Sequence, residues 1–318
     1  MRKNIIAAVV VTYNRCQLLL RCLNAICNQE FKPQKVFVID NASTDDTPKV
    51  IECKGYLDGN INDIEFEYIR LTENIGGAGG FYTGMKKAFE EGVFEAVWMM
   101  DDDGCPKENC LRLLVEQLKD YDYIAPIVLS DKDHTTSASY PQYDYGYFKS
   151  QAKQGIIRDM ASPFNGILYS CRLIEEIGYP KKELFIWGDE LDYHQRAEAV
   201  GYHPITVIDA IHYHPINLQT NIVFENKHLT ITNSRWRLYC FLRNRVYLTR
   251  KKHGFVRAAK RCAQFLWSYK RLFDAYPTMI TMKPMLYDSY WCGLFGVFSH
   301  LKRYKDAGAD KIWDVMPE

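Results

Sequence analysis

Three consecutive carboxylates, Asp101-Asp102-Asp103, follow directly on the apolar run Ala96-Val97-Trp98-Met99-Met100. A hydrophobic run ending in acids reads as a buried strand that presents hard oxygen ligands at its C-terminal edge. That edge is where open α/β sheets bind ligands. Two carboxylates one residue apart, Asp101 and Asp103, suit Mn²⁺ or Mg²⁺, which prefer oxygen and complete their shells with water and substrate phosphates. Far downstream, the strand-like run Ile205-Thr206-Val207-Ile208 ends at His212-Tyr213-His214. Of the two imidazoles, His214 is the better third ligand, because Pro215 restrains the backbone behind it.

Other stretches offer binding and proton transfer. Thr12-Tyr13-Asn14-Arg15 and Asp40-Asn41-Ala42-Ser43-Thr44-Asp45 each end a strand-like run. Together they supply the fixed donors, acceptors and aromatic wall that a nucleobase edge needs. Asn74-Ile75-Gly76-Gly77-Ala78-Gly79-Gly80-Phe81 holds four glycines in five residues, which lets backbone N–H groups approach anionic oxygens. In Trp187-Gly188-Asp189-Glu190-Leu191-Asp192 three carboxylates open a helix, where the dipole favours negative charge. One of them could also serve as a general base, provided it lies within hydrogen-bond reach of a hydroxyl.

These residues need a scaffold, and the pattern supplies one. Strands are expected at Ile5–Val11, Val36–Ile39, Ile64–Leu71 and Ala96–Met100, alternating with helices at Leu18–Ile26, from Pro48, at Tyr82–Glu91 and at Lys107–Lys119. That β-α-β-α order implies a mostly parallel sheet covered on both faces. The pattern dissolves between Leu129 and Pro163, and helical spacing returns at Arg172–Ile177 and Glu190–Val200. Beyond Ser234 the chain reads as helices. The expected organisation is a catalytic domain over 1–225 and a helical, basic amphipathic region over 226–318. A dinucleotide site is disfavoured, because the first strand lacks the Gly-x-Gly-x-x-Gly turn.

The net charge of +1 conceals an asymmetry. Lys227 to Phe273 carries 13 Lys/Arg and no acid, so the rest of the chain stands at −12. A basic segment on an acidic body suggests an anionic partner. Within it Phe255, Ala259, Cys262, Leu266, Tyr269 and Phe273 form an apolar helical stripe, with Arg257, Lys260, Arg261 and Arg271 mainly off it. An interfacial helix on an anionic membrane is expected. Ten scattered cysteines form no Cys-x-x-Cys pair and read as reduced thiols. The start Met1-Arg2-Lys3-Asn4 fits no cleavable leader, and no stretch reaches the ~18 apolar residues of a spanning helix. A cytoplasmic protein, peripheral on the inner face of the cell membrane, is expected.

The order Val-Val-Val-Thr-Tyr-Asn-Arg, Val-Ile-Asp-Asn-Ala-Ser-Thr-Asp, aspartate cluster, Asp-Glu-x-Asp-Tyr-x-x-Arg resembles that of family 2 glycosyltransferases, over about residues 5 to 250. Asn74 to Phe81, Trp187, His214-Pro215 and Arg243-Asn244 look like the galactofuranosyltransferase branch and its rhamnosyltransferase relatives. The resemblance implies the GT-A fold, an α/β sheet flanked by helices, and inverting transfer. It implies that Thr12, Asp40 and Asn41 hold the uridine, with Tyr13 and Asp102 beside them. Asn74, Gly76 and Gly77 would lie along the ribose and diphosphate, and Asp101, Asp103 and His214 would ligand Mn²⁺ or Mg²⁺. Glu190 falls where the family places its catalytic carboxylate, usually Asp, and Asp189 just before it is a rival. Trp187 and Asp192 fall on the acceptor side.

The expected reaction is a single in-line displacement. A sugar, galactofuranose, would pass from UDP-galactofuranose to a hydroxyl of a glycan acceptor, lipid-linked through polyprenyl diphosphate, in bacterial cell-surface polysaccharide synthesis. Alternatives are a dTDP-rhamnose enzyme of the same fold and a catalytically silent sugar- or lipid-binding partner; the carboxylates disfavour the latter. A sugar-phosphate nucleotidyltransferase would want a glycine-rich basic loop where Thr12 to Arg15 stand. Nucleic acid is not an expected partner.

Overall fold

The structure, a computed structural model, describes residues 5–305 apart from 163, 217–219 and 233. Met1 to Asn4, on which the leader expectation rested, lie outside the described residues. The chain divides into two compact units: 1–182 with 193–217, and 183–192 with 218–318.

The first unit is built in chain order from β1 (Ile6–Thr12), α1 (Cys16–Cys27), β2 (Lys35–Asp40), α2 (Thr47–Cys53), β3 (Asp58–Ile61), β4 (Ile64–Arg70), α3 (Gly76–Glu90) and β5 (Ala96–Asp101). It continues through β6 (Cys105–Pro106), α4 (Cys110–Val115), β7 (Tyr123–Ser130), α5 (Tyr145–Gln151), β8 (Ile156–Arg158), β9 (Asn165–Ser170), α6 (Cys171–Ile177), α7 (Asp189–Ala199) and β10 (Ile205–His214). The first four residues of α7 group with the second unit.

The strands run β3-β4-β2-β1-β5-β9-β7-β10-β6 across one sheet, with β8 paired to β10. β1, β2 and β5 are buried along their length apart from half-covered Asp101, as apolar strands covered on both faces must be. Their parallel registers set Thr12 beside Asp40 and Val11 beside Asp101, so the loops that follow open on one edge. The sheet is mixed, because β9 runs antiparallel between β5 and β7. β10 slips its register against β7 between Val207 and Ile211, and beyond this irregularity His214 pairs with Ser130.

α3 begins at Gly76, six residues before the helix expected from spacing. Its glycines divide by task. A Cβ at Gly80 would stand 2.4 Å from Val11 Cγ1, and one at Gly84 2.2 Å from Val9 Cγ1, so these two let the helix sit directly on β1. Gly76 holds a left-handed φ of 79° at the helix start, and a Cβ at Gly77 would meet nothing within 4 Å. The expectation of backbone access to a ligand thus narrows to Gly76 and Gly77.

The second unit contains a hairpin, β11 (Thr220–Phe224) and β12 (Lys227–Ile231), and then α8 (Arg235–His253), α9 (Phe255–Ala275), α10 (Lys283–Phe295) and the short α11 (Lys302–Lys305). Gly254, at φ 80°, makes the turn between α8 and α9. The expected lipid-facing stripe is corrected here. Cys262, Leu266, Tyr269 and Phe273 are buried in this unit's own core against residues such as Leu229, Leu242 and Leu286. Burying that face against protein removes its apolar area from water without a membrane. Among the described residues no helix is long and apolar enough to cross a membrane.

Candidate active site

In the first unit the strand ends bring Asp101, Asp103 and His214 together, each offering a ligand atom within 4.8 Å of the others. His214 Nε2 stands 3.0 Å from Asp103 Oδ1, yet that oxygen has no hydrogen bond of proper alignment. His214 Nδ1 lies 2.7 Å from the carbonyl of Pro215. A carbonyl only accepts, so Nδ1 carries the proton and, in the neutral ring, Nε2 keeps its lone pair for a cation. Two carboxylates and an imidazole with this second hydrogen bond fit Mn²⁺ or Mg²⁺. His212 is placed elsewhere: fully buried, it packs against Gly104 and Gly166 with neither ring nitrogen hydrogen-bonded, and burial lowers its pKa to about 3.

The electrostatics are those of a cluster short of positive charge. Burial, with the charges of Asp103 and Asp102, pushes the Asp101 carboxyl up. Burial also lifts Asp102, to about 6, against the pull of Arg15 and the Thr12 hydroxyl. Asp103 is buried too, but its pairing with His214 and the charge of Arg15 hold it below the usual carboxylate range. Burial disfavours the charged His214 ring, but Asp103 and Asp101 outweigh it and raise the pKa. Arg15 Nη1 reaches Asp103 Oδ2 at 2.8 Å and Asp102 Oδ1 at 3.2 Å. Sequence reasoning assigned Arg15 no role; its only signal was its place at the end of the first strand's loop.

The donor-side residues share this edge. Thr12 donates its hydroxyl to Asp102 Oδ2 at 2.7 Å. Asp40 accepts from the Ser43 N–H at 2.8 Å and from the Tyr68 hydroxyl. Asn41 donates to the Gly76 carbonyl at 3.2 Å, which leaves its own Oδ1 buried without a partner. A buried amide oxygen with no donor invites one from a ligand. Asn74 Oδ1 accepts from the Gly76 N–H at 2.8 Å and so fixes the start of α3. Asn14, at φ 55°, accepts from Thr44 N at 2.7 Å and ties the two strand-end loops together. Tyr13 is exposed, its ring free to lie along a planar group. Tyr68, which fills one Asp40 oxygen, and Arg70, which donates to the Ser43 carbonyl at 2.7 Å, were not foreseen.

In the second unit Trp187-Gly188-Asp189-Glu190 forms a strained turn into α7. Phe185 and Trp187 adopt left-handed φ of 70° and 58°, and Gly188 stands at 104°. Non-glycine residues rarely hold such angles unless the surroundings enforce them. Asn244 does so from α8, donating its amide to the carbonyls of Leu184 at 3.0 Å, Ile186 at 3.0 Å and Trp187 at 2.6 Å. Arg243 supports it through Nε on Asn244 Oδ1 at 2.9 Å and Nη2 on the Leu184 carbonyl at 2.8 Å. Both are buried. The pair thus clamps the turn that carries the carboxylates. Glu190 is the half-covered acid of the three, with Oε2 held by the Gly188 N–H at 2.9 Å. Asp189 is buried, and Asp192, fully covered, pairs with Lys251 Nζ at 2.7 Å. What Asp192 offers the surface is therefore Lys251.

A parallel half-sheet joined to an acid-x-acid strand end with a histidine at hand is the arrangement of the GT-A fold. Solved structures share this fold. A mannosyltransferase of Pyrobaculum calidifontis, in complex with GDP-Man and Mn²⁺, matches at a TM-score of 0.54 and 16% identity over 93% of this chain and 88% of its own. TarS of S. aureus in complex with UDP matches at 0.51 and 15% over 96% and 92%. The pattern of the glycosyl transferase family 2 matches residues 7–178. The galactofuranosyltransferase GlfT1 of Mycobacterium tuberculosis is 32% identical over 218 residues, 65% of this chain and 69% of its own. Its counterpart from Mycolicibacterium smegmatis is 27% identical over 77% and 82%. The chain belongs to glycosyltransferase family 2 and is a glycosyltransferase homologous to these galactofuranosyltransferases.

Proposed function

We propose that this enzyme transfers galactofuranose, with inversion and with the help of Mn²⁺ or Mg²⁺, from UDP-galactofuranose to a hydroxyl of a lipid-linked glycan in bacterial cell-surface polysaccharide synthesis. The observation that carries the reading is the gathering of ligand atoms of Asp101, Asp103 and His214 within 4.8 Å of one another, with His214 Nδ1 engaged by the Pro215 carbonyl. The identity to two galactofuranosyltransferases supports the sugar.

When bound, the cation would be held by Asp101, Asp103 and His214 and would neutralise charge on the diphosphate. The unpartnered Asn41 oxygen and Asp40 take donors of the base, with Thr12, Tyr13 and Asp102 beside them. Asn74, Gly76 and Gly77 set N–H groups along the ribose and phosphates. Glu190 removes the proton of the acceptor hydroxyl as that oxygen attacks the anomeric carbon. The Gly188 N–H keeps its carboxylate oriented, which leaves Oε1 for the proton. Trp187 and Asp192 belong to the acceptor side, the latter through Lys251.

A docking surface for an anionic membrane is offered by the second unit, at the exposed start of the stripe and on α10 rather than on the buried remainder of the stripe. Phe255, Val256, Trp291 and Phe295 are all exposed, with Phe255 and Trp291 at 5.6 and 4.4 Å from the Phe295 ring. His253, Arg257, Lys260, Arg261 and Gln264 line a concave patch of about 430 Å³ without an acid. Exposed aromatics and an acid-free cationic patch on one unit gain both apolar burial and attraction to anionic lipid.

The deciding experiment is a panel of nucleotide sugars assayed for turnover with Mn²⁺ and with excess chelator. UDP-galactofuranose should be consumed at least tenfold faster than the others, and only with metal. Preference for dTDP-rhamnose, or full turnover in chelator, would overturn the reading.

A further inference from the structure

The second unit holds another set of metal-ligating side chains, none of them part of the strand-end cluster. Asp288 and Cys292 stand one turn apart on the same face of α10, and His300 lies in the 3₁₀ turn Ser299–Leu301 that follows. His300 Nδ1 is 2.8 Å from Asp288 Oδ1 and 3.2 Å from Cys292 Sγ, and Sγ is 3.5 Å from the same Oδ1. We propose that Asp288, Cys292 and His300 form a second metal site for a borderline-soft divalent cation of the Zn²⁺ class.

Three features favour a metal over a hydrogen-bonded knot. A tetrahedral Zn²⁺ at ordinary bond lengths sets sulfur, nitrogen and oxygen ligands roughly 3.3–3.6 Å apart, so this triangle needs to open by only a few tenths of an ångström. One and the same ring nitrogen meets both thiol and carboxylate. A Cys-His-Asp proton relay would use opposite nitrogens, so that chemistry is disfavoured. The surroundings also match an outer shell. The Tyr304 hydroxyl donates to the other Asp288 oxygen, Oδ2, at 2.8 Å and orients the carboxylate. The fully buried Tyr239 hydroxyl interacts with the Cys292 thiol. It is poised to donate to a thiolate or to a water in the fourth position.

The site would fasten α10 to the 3₁₀ turn that follows it. It stands independently of the transfer reaction, since it shares no residue with the strand-end cluster. Its soft sulfur ligand also distinguishes it from that cluster, whose donors are oxygen and nitrogen.

The test uses Co²⁺ as a spectroscopic substitute for Zn²⁺ on the full chain. Wild type should bind Co²⁺ with a thiolate charge-transfer absorption in the near ultraviolet. Asp103→Ala should retain that band, and Cys292→Ala should lose it. Because Cys292→Ala could fold poorly, the second readout uses wild type alone. Zn²⁺ should slow alkylation of Cys292 at least tenfold, as mapped on the peptide, and chelator should restore it. No thiolate band in wild type, a band that survives Cys292→Ala, or alkylation of Cys292 unchanged within twofold by Zn²⁺ would each overturn the proposal.

Discussion

Asn244→Ala is the substitution whose consequence can be worked furthest. The amide of Asn244 serves three carbonyls, those of Leu184, Ile186 and Trp187, and it does so from a position with almost no exposed surface. Its two N–H donors contribute about 1 kcal/mol each, and the carbonyls they leave unsatisfied add to the loss, for a total of about 2–4 kcal/mol. For a chain of this size that corresponds to a fall in melting temperature of roughly 3–6 °C. The larger effect is local. Phe185 and Trp187 hold left-handed φ of 70° and 58° in a turn whose Leu184, Ile186 and Trp187 carbonyls are gripped by that one amide. Released, the turn relaxes and carries Glu190 with it. Misplacement of a reacting group by about 1 Å costs on the order of 10²-fold in rate. Turnover should therefore fall by about 10²-fold, while donor affinity stays within about threefold, because the donor-binding residues belong to the other unit. Thermal unfolding, donor titration and initial-rate transfer on the same preparation measure all three. Turnover within threefold of wild type, or a rate loss matched by an equal loss of donor affinity, would refute the clamp.

Further expectations follow from individual residues. Glu190→Gln keeps shape but accepts no proton, so turnover should drop about 10²–10⁴-fold with donor binding preserved; an active Glu190→Gln beside an inactive Asp189→Asn would exchange their roles. Gly80→Ala should destabilise by about 1–3 kcal/mol through the clash with Val11, whereas Gly77→Ala should fold normally and lose about tenfold in donor affinity; denaturant unfolding and donor titration separate the two. Asp101, Asp102 and His214 all have raised pKa values in the metal-free fold, so the native state binds more protons than the unfolded chain there. Metal-free stability should then fall as pH rises from about 6 to 8, and Mn²⁺, which replaces those protons, should flatten the slope; a metal-free melting temperature that climbs over this range would contradict it.

What the sequence disclosed depended on how continuous each signal was. β1, β2 and β5 were legible because both faces are buried and the apolar runs are unbroken. β7 escaped because Pro126 interrupts an otherwise plain strand, a residue that argues against central strands. β9 escaped because it begins Asn165-Gly166, and β3 because Asp58-Gly59-Asn60 is polar and sits at the sheet edge. The Asp101/Asp103 pair and its link to His214 were visible as residue types at strand ends. Arg15 was not, since its approach to Asp102 and Asp103 depends on the pairing of β1 with β5. The grip of Asn244 on residues some sixty positions earlier leaves no local pattern at all. The apolar stripe of α9 was seen correctly as a stripe, but periodicity cannot say whether protein or lipid covers it, and here protein does.

The most direct test of the central claim is a titration of UDP into wild type and Asp103→Ala, each with Mn²⁺ and with chelator. If Asp103 holds the cation that meets the diphosphate, Mn²⁺ should tighten UDP binding to wild type at least tenfold, and Asp103→Ala should bind UDP weakly and equally in both conditions with its fold intact. A Mn²⁺ enhancement that survives Asp103→Ala, or wild-type binding indifferent to the metal, would contradict the account.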